Sequence, residues 1–485
     1  MKIFKYLILL VSLSVVMTGC EKEFLDTEPA SSISAEQVAE TPAANEALVN
    51  GIYANLRTYG VGGTTAHTDY GHRGITAGLD NMSNDVVLNN FNWYIFFYNY
   101  TGRVQTSSRA SLIWNTYYSV VADANIVING LGTLENRTAE EDALFGQALA
   151  LKSFALFNLV RIYSPSYIGN ESAPGVPVPD RLTFDGKGRG TVQDVYNQII
   201  PDLEQAVTLL EGFNRSSKQQ IDQSVAQGLL AEVYLETGNW AEAASAANAA
   251  RTGYGLMTGE EYVNDGFDNI GNQEWMWGAD IDSESSTVYA SFFSHYDSFL
   301  GGYAGALDGY KLIDANLYSM IPETDARKDV FVEAGNEFGF PPLSNTKFVD
   351  ATSSFEGDYL YMRSAEMYLI EAEALVRAGQ VDAGIDVLVE LVSSRDSGYE
   401  RPALTGQALL DEIYLQRRIE LWGEGFAWFD LKRLSKPLDR TYEGSNHRDF
   451  GKFMFPAGSN EFLFQIPEDE LNSNDNIGAG DQNPS

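Results

Sequence analysis

Two stretches far apart in the chain share one layout, and that layout restricts the fold more than any other feature. Residues 224 to 250 read SVAQGLLAEVYLETGNWAEAASAANAA, and residues 364 to 390 read SAEMYLIEAEALVRAGQVDAGIDVLVE. In the first, Ala226, Leu229, Leu230, Val233 and Tyr234 fall at i, i+3, i+4, i+7 and i+8, which places them on one helical face. Ala365, Leu369, Ala372 and Val376 make a narrower stripe in the second. Each run stops at a glycine, Gly238 or Gly379, where a left-handed cap carries no Cβ penalty. A second helix restarts within a few residues.

Helix, glycine turn, then a helix rich in small residues is the tetratricopeptide arrangement, in which paired helices approach closely. Gly238 and Gly379 lie 141 residues apart, so the array is interrupted and not a regular tandem solenoid. Thr138 with Glu141 and Thr191 with Asp194 read as capping boxes opening further helices, and Pro201 is expected to kink or restart the second of these. Residues 164 to 190 hold four of the 15 prolines, and residues 255 to 355 are rich in glycine and aromatics. Segments of that length without helical period are usually functional or mobile, and a ligand site is expected there.

The expected fold is therefore mainly α: a helical body over about 110–165, 191–252 and 359–434. Loop-rich insertions fall over about 60–105 and 255–355, and a closing segment spans 435–485.

The amino terminus carries the address. Lys2 and Lys5 precede an apolar run from Tyr6 to Met17, followed by Thr18, Gly19 and Cys20. This reads as an export signal over residues 1–19, cleaved before a lipid-acceptor thiol at Cys20, with a tether over 20–40 and one domain over 41–485. A membrane-spanning helix needs roughly 20 apolar residues, and this run is shorter. Beyond it nothing is expected to span, so the rest should be soluble and moored. Cys20 is the only cysteine, so no internal disulfide can form and stability must come from a core. With 32 basic against 67 acidic residues the formal charge is −35, which repels phosphate backbones and excludes nucleic acid as a partner.

Several motifs resemble those of one family, the SusD/RagB-like outer-membrane lipoproteins of glycan and peptide uptake. They are RSAEMYLIEAEALVRAGQ (363 to 380), ELWGEGFAWFDLKR (420 to 433), FLFQIPEDELNSNDN (462 to 476), WNTYYSVVADANIVING (114 to 130) and LKSFALFNLVRIY (151 to 163). The resemblance implies four tetratricopeptide-like helix pairs supporting a loop-rich binding lobe. It also implies a non-catalytic role: capture of an oligosaccharide at the cell surface and its delivery to a partner SusC-like TonB-dependent transporter. Glu21, Lys22 and Glu23 after Cys20 look like the acidic sorting signal of such surface lipoproteins. A peptide ligand, as in the RagB branch, is the alternative within the family.

Sugars are bound by rings laid on their apolar face and by polar side chains at their rim. FNWYIFFYNY (91 to 100) has seven aromatics in ten positions, and Asp80, Asn81 and Asn92 stand beside it. An extended strand would divide the rings between two faces, and Trp93 and Tyr94 are the candidates for contact. From the order of ligand loops in the family, Tyr289, Tyr296 and Tyr303 are expected to contribute from the central insertion. The opposing reading is a helix burying Phe292, Phe293, Tyr296 and Phe299, and Trp275 and Trp277 look like packed strand residues.

A glycoside hydrolase is the rival reading. Glu420 and Glu424 are four apart, as if on one helix face, and hydrolysis needs two carboxyls in a cleft. Among 67 acidic residues such pairs arise by chance, and the surrounding Trp422, Trp428 and Phe429 suggest a docked turn with Glu424, Asp430 and Arg433 in internal pairs. His67 and His72 bracket Asp69, but the spacing suits no common zinc site. GKGRG (186 to 190) lacks the context of a dinucleotide loop. No catalytic residue, metal or cofactor is expected.

Overall fold

The computed structural model describes residues 42–179, 186–264 and 266–485. The proposed signal, Cys20 and the tether lie outside the described residues.

The repeated layout holds in space. Gln223–Thr237 and Trp240–Arg251 form one helix pair, and Ser364–Arg377 and Val381–Ser393 the other. Gly238 and Gly379 take left-handed φ values of 79° and 83°, as a glycine cap requires. Ala226, Leu229, Leu230, Val233 and Tyr234 are all buried. The 141-residue interruption closes up because Trp240–Arg251 packs directly on Ser364–Arg377, so the helices stack as one continuous layer. Upstream, Pro42–Asn55 leans on Ser108–Gly132, which packs on Ala139–Tyr163, then Val192–Leu209, then Gln223–Thr237.

Both capping boxes form: Thr138 Oγ1 accepts from Glu141 N at 3.2 Å, and Thr191 Oγ1 from Asp194 N at 3.1 Å. Pro201 does not restart its helix. Val192–Leu209 runs through it, because the proline sits on the solvent side, where water can reach the carbonyl it leaves unpaired. Ala139–Tyr163 is also, by length and composition, apolar enough to cross a membrane, against the expectation that nothing beyond the signal would be. It is the central helix of the body, flanked on both sides, and its apolar residues are core.

Among the described residues three short antiparallel ladders form, two of which tie the insertions down. Trp275–Ala279 pairs with Tyr359–Arg363, bringing the far end of the central insertion back onto Ser364–Arg377, with Trp275 and Trp277 buried. Val86–Leu88 pairs with Lys311–Ile313, Val86 opposite Ile313, and so joins the first insertion to the second. Leu438–Asp439 pairs with Met454–Phe455 in the closing segment.

At the centre lies a knot of charge. Arg363 donates to Glu274 at 2.5 Å, to Glu420 at 2.7 Å and to Glu424 at 2.7 Å. Arg395 and Arg327 reach Glu420 at 3.1 Å each, and Lys347 reaches Glu424 at 2.6 Å. Burial opposes the charge on Glu420, yet Arg395, Arg363 and Arg327 hold its carboxyl well below the usual carboxylate range. The two glutamates are not on one helix face: the helix Gly406–Glu420 ends before Glu424. Asp430 pairs with Arg417 at 2.7 Å and with Arg433 at 3.0 Å, so the ELWGEGFAWFDLKR block is a docked turn. Gly425, at φ 104°, is required there, since a Cβ would lie 2.5 Å from that of Thr76.

Candidate functional site

FNWYIFFYNY is not a strand. Ile95–Tyr98 is a single helical turn, so the rings divide by helical position and not by alternation. Tyr94 points inward and is fully buried, its hydroxyl bonded to that of Tyr70 and to Gly74 O. Burial raises its phenol well above the ordinary value. Tyr296, on the turn Phe292–Tyr296, is buried in the same way. Its hydroxyl accepts from Asn81 Nδ2 at 3.2 Å, and its ring lies against Phe292. Asn81 is buried and also donates to Ala77 O. Asp80 accepts the amides of Gly425 at 2.7 Å and Ala427 at 3.3 Å, fastening the docked turn.

These four residues, Tyr94, Tyr296, Asn81 and Asp80, are therefore removed from the expected site. Each turns its polar group inside the frame, where of these groups only Asn81 Oδ1 lacks a partner. Burial pushes the Asp80 carboxyl up to about 7.

The other four stay near the surface. Trp93 is half-buried, and its indole Nε1 donates to Tyr303 Oη at 2.7 Å. The same hydroxyl meets His67 Nδ1 at 2.8 Å. His67 in turn stacks on Trp93, with centroids 5.0 Å apart and planes 16° from parallel. Tyr303 is backed by buried His295, stacked at 4.6 Å, and flanked by Tyr289 at 6.1 Å. Tyr59 meets the edge of His67 at 6.0 Å. Asn92 holds this together locally, accepting from Tyr94 N and donating to Gly309 O at 3.3 Å. Rings from four separate loops thus form one patch, brought together where the Val86–Leu88 and Lys311–Ile313 ladder joins the insertions.

The loop presenting Tyr289 is strained. Val288 and Phe355 sit at φ 56° and 65°, and a β-branched residue in the left-handed region is a genuine outlier. Ser286 Oγ donates to Phe355 O and Ser291 Oγ to Val288 O, holding the turns against relaxation. Tyr289 emerges 50% exposed. Strain held this way tends to sit where a side chain must be aimed.

His67 is the residue that the sequence reading missed for this role. Its Nδ1 is engaged by Tyr303, and burial holds it below the ordinary histidine value. His72 is instead buried against Tyr117 at 2.9 Å, and Asp69 takes the amides of Gly62 and Thr64. Among the described residues no cluster of three metal-ligating side chains forms. Of the FNWYIFFYNY rings, Phe91 and Phe96 are also exposed, Phe96 at 42%.

Against known proteins, a family model described as SusD-like, starch-binding associating with outer membrane, matches residues 23–235. A second, of the SusD family, matches residues 329–485. SusD-like protein P2 of Formosa agariphila is 24% identical, the alignment covering 98% of each chain. A SusD-like carbohydrate-binding protein of Bacteroides vulgatus superposes with a TM-score of 0.81 at 28% identity, over 92% of this chain and 98% of that one. A sugar-binding protein described as putative, from the same organism, gives 0.77 at 25% identity, over 91% of this chain and 98% of that one.

Proposed function

The chain belongs to the SusD/RagB-like family, and from that premise we propose that it binds an oligosaccharide at the cell surface without altering it. It then passes the ligand to a SusC-like TonB-dependent transporter in the outer membrane, to which Cys20 moors it. The observation that carries the reading is the patch of Trp93, His67, Tyr303 and Tyr289, the first three joined by hydrogen bonds and the last flanking Tyr303, open to solvent on one side. Such rings offer flat apolar faces to a pyranose, and the hydroxyl of half-exposed Tyr289 supplies a rim contact. Each ring contact adds about 1 kcal/mol beyond the area it buries, so rings, burial and rim contacts together are expected to supply about 4–8 kcal/mol, affinity in the millimolar to micromolar range. Weak binding suits cargo that must be released.

Against catalysis stands the fate of the carboxylate pair that the sequence singles out. Glu420 and Glu424 are neutralised in the knot, with no cleft between them. A glycan array set against a peptide pool tests the ligand class, with retention of glycan and not of peptide expected. Sugar release from a polysaccharide panel on prolonged incubation would overturn the non-catalytic reading.

A further inference from the structure

In a chain with a formal charge of −35, the ground beneath the ring patch holds cations without carboxylates. Arg109 is only 6% exposed, with its guanidinium 4.4 Å from the Phe96 ring and 5.8 Å from that of Trp93. Its Nη2 donates to Trp93 O at 3.2 Å and its Nη1 to Ser108 Oγ at 3.0 Å, while Nε has no hydrogen-bond partner. No ion pair among the described residues involves it, whereas Arg363 holds three glutamates. Behind Tyr303, Lys311 is likewise buried and donates only to the carbonyls of His295 and Gly309, each at 3.0 Å. The nearest acid in chain order to His67 is Asp69, whose oxygens are occupied by Gly62 and Thr64.

Arg109 is also the second residue of the 25-residue helix Ser108–Gly132, capped by Ser107. The positive end of that helix and a guanidinium with no carboxylate partner coincide, and each favours an anion. A buried cation with no counterion is costly unless a ligand supplies one.

Resting on the reading of the patch as a saccharide platform, we propose that this corner is an anion subsite. The platform takes oligosaccharides carrying a carboxylate or a sulfate ester, whose oxygens accept from the remaining N–H of Arg109 Nη1 beside exposed Ser108. Charge-assisted bonds of this kind are about twice as strong as neutral ones and weaken with salt where exposed.

Calorimetric titration of the whole protein with uronate-bearing, sulfated and neutral oligosaccharides of matched length, at low and high salt, tests this. Acidic ligands should bind at least about tenfold tighter than neutral ones at low salt, with the ratio shrinking as salt rises. Preference for the uronate or for the sulfate identifies the group, and either supports the subsite. Arg109→Gln should bring the ratio of acidic to neutral affinity close to one. Because Arg109 is buried, Ser108→Asp provides a second variant: an acid suits this exposed helix start, so the fold should hold while the preference collapses. Equal affinity for acidic and neutral ligands, or an unchanged ratio in a folded Ser108→Asp, overturns the subsite and leaves the platform standing. Failure of every oligosaccharide to bind overturns the platform itself.

Discussion

The knot around Arg363 and the ring patch around His67 treat polar groups in opposite ways. In the knot, Glu274, Glu420 and Glu424 face Arg363, Arg395, Arg327 and Lys347, every one of them buried. In the patch, Trp93, His67 and Tyr303 bond one another and leave their faces half open, over cations that no acid balances. The first arrangement is finished by the chain itself and serves as a frame. The second leaves ring faces open to solvent. Acidic residues therefore misdirect a search for function here, because the ones that look catalytic are already spoken for.

If that division is right, damage to each region should show in a different measurement. Glu420→Ala removes the carboxylate that Arg363, Arg395 and Arg327 share, leaving Glu274, Glu424 and Asp325 to face these arginines and Lys347 in the core. Breaking a buried pair this way costs about 3–5 kcal/mol, so denaturant unfolding should show a severe loss, while whatever remains folded still binds glycan. Trp93→Ala with Tyr303→Ala should do the reverse. Affinity by calorimetry should fall roughly tenfold to a hundredfold, the worth of two rings, with a stability loss of about 1–2 kcal/mol from the severed hydrogen bonds.

Lys311 sharpens the contrast through pH. Burial pushes its ammonium down to about 7 from 10.5, so between these values the unfolded chain holds a proton that the folded chain does not. Stability should therefore rise with pH above about 7, and Lys311→Met should remove about one proton from the slope of unfolding free energy against pH. Lys347 and Lys432, lowered by burial to about 8 and about 7, keep their share of the slope in the variant. The smallest effect belongs to Tyr289→Ala, at an exposed ring. Its unfolding free energy should move by less than about 0.5 kcal/mol while glycan affinity drops severalfold. A large stability loss there would mean that the ring is frame and not platform.

The frame was readable in the chain because its signals are local. Gly238 and Gly379, the two threonine capping boxes, the strand tryptophans and the docked turn at residues 420–433 each depend on a few neighbouring residues. The platform depends on contacts 210 and 236 residues long, Trp93 to Tyr303 and Tyr303 to His67, which no local period encodes. Where seven of ten residues are aromatic, hydropathy has no period to read, so Tyr94 and Trp93 look alike until the helical turn at Ile95–Tyr98 sends one inward. Tyr296 fell to the helical reading of its own segment, which was the correct one for Phe292, Phe293 and Tyr296. Phe299 lies past that helix and is exposed. His67 drew notice as a metal ligand, and only the fold shows it stacked on Trp93.

The most direct test is a titration of one glycan that the protein retains, read by calorimetry for the wild type and for the Trp93→Ala, Tyr303→Ala double variant, with both confirmed folded. Saturable binding to the wild type, lost or weakened at least tenfold in the double variant and leaving the glycan chemically unchanged, is the predicted result. Equal binding by the two proteins, or a glycan shortened by the end of the titration, would contradict it.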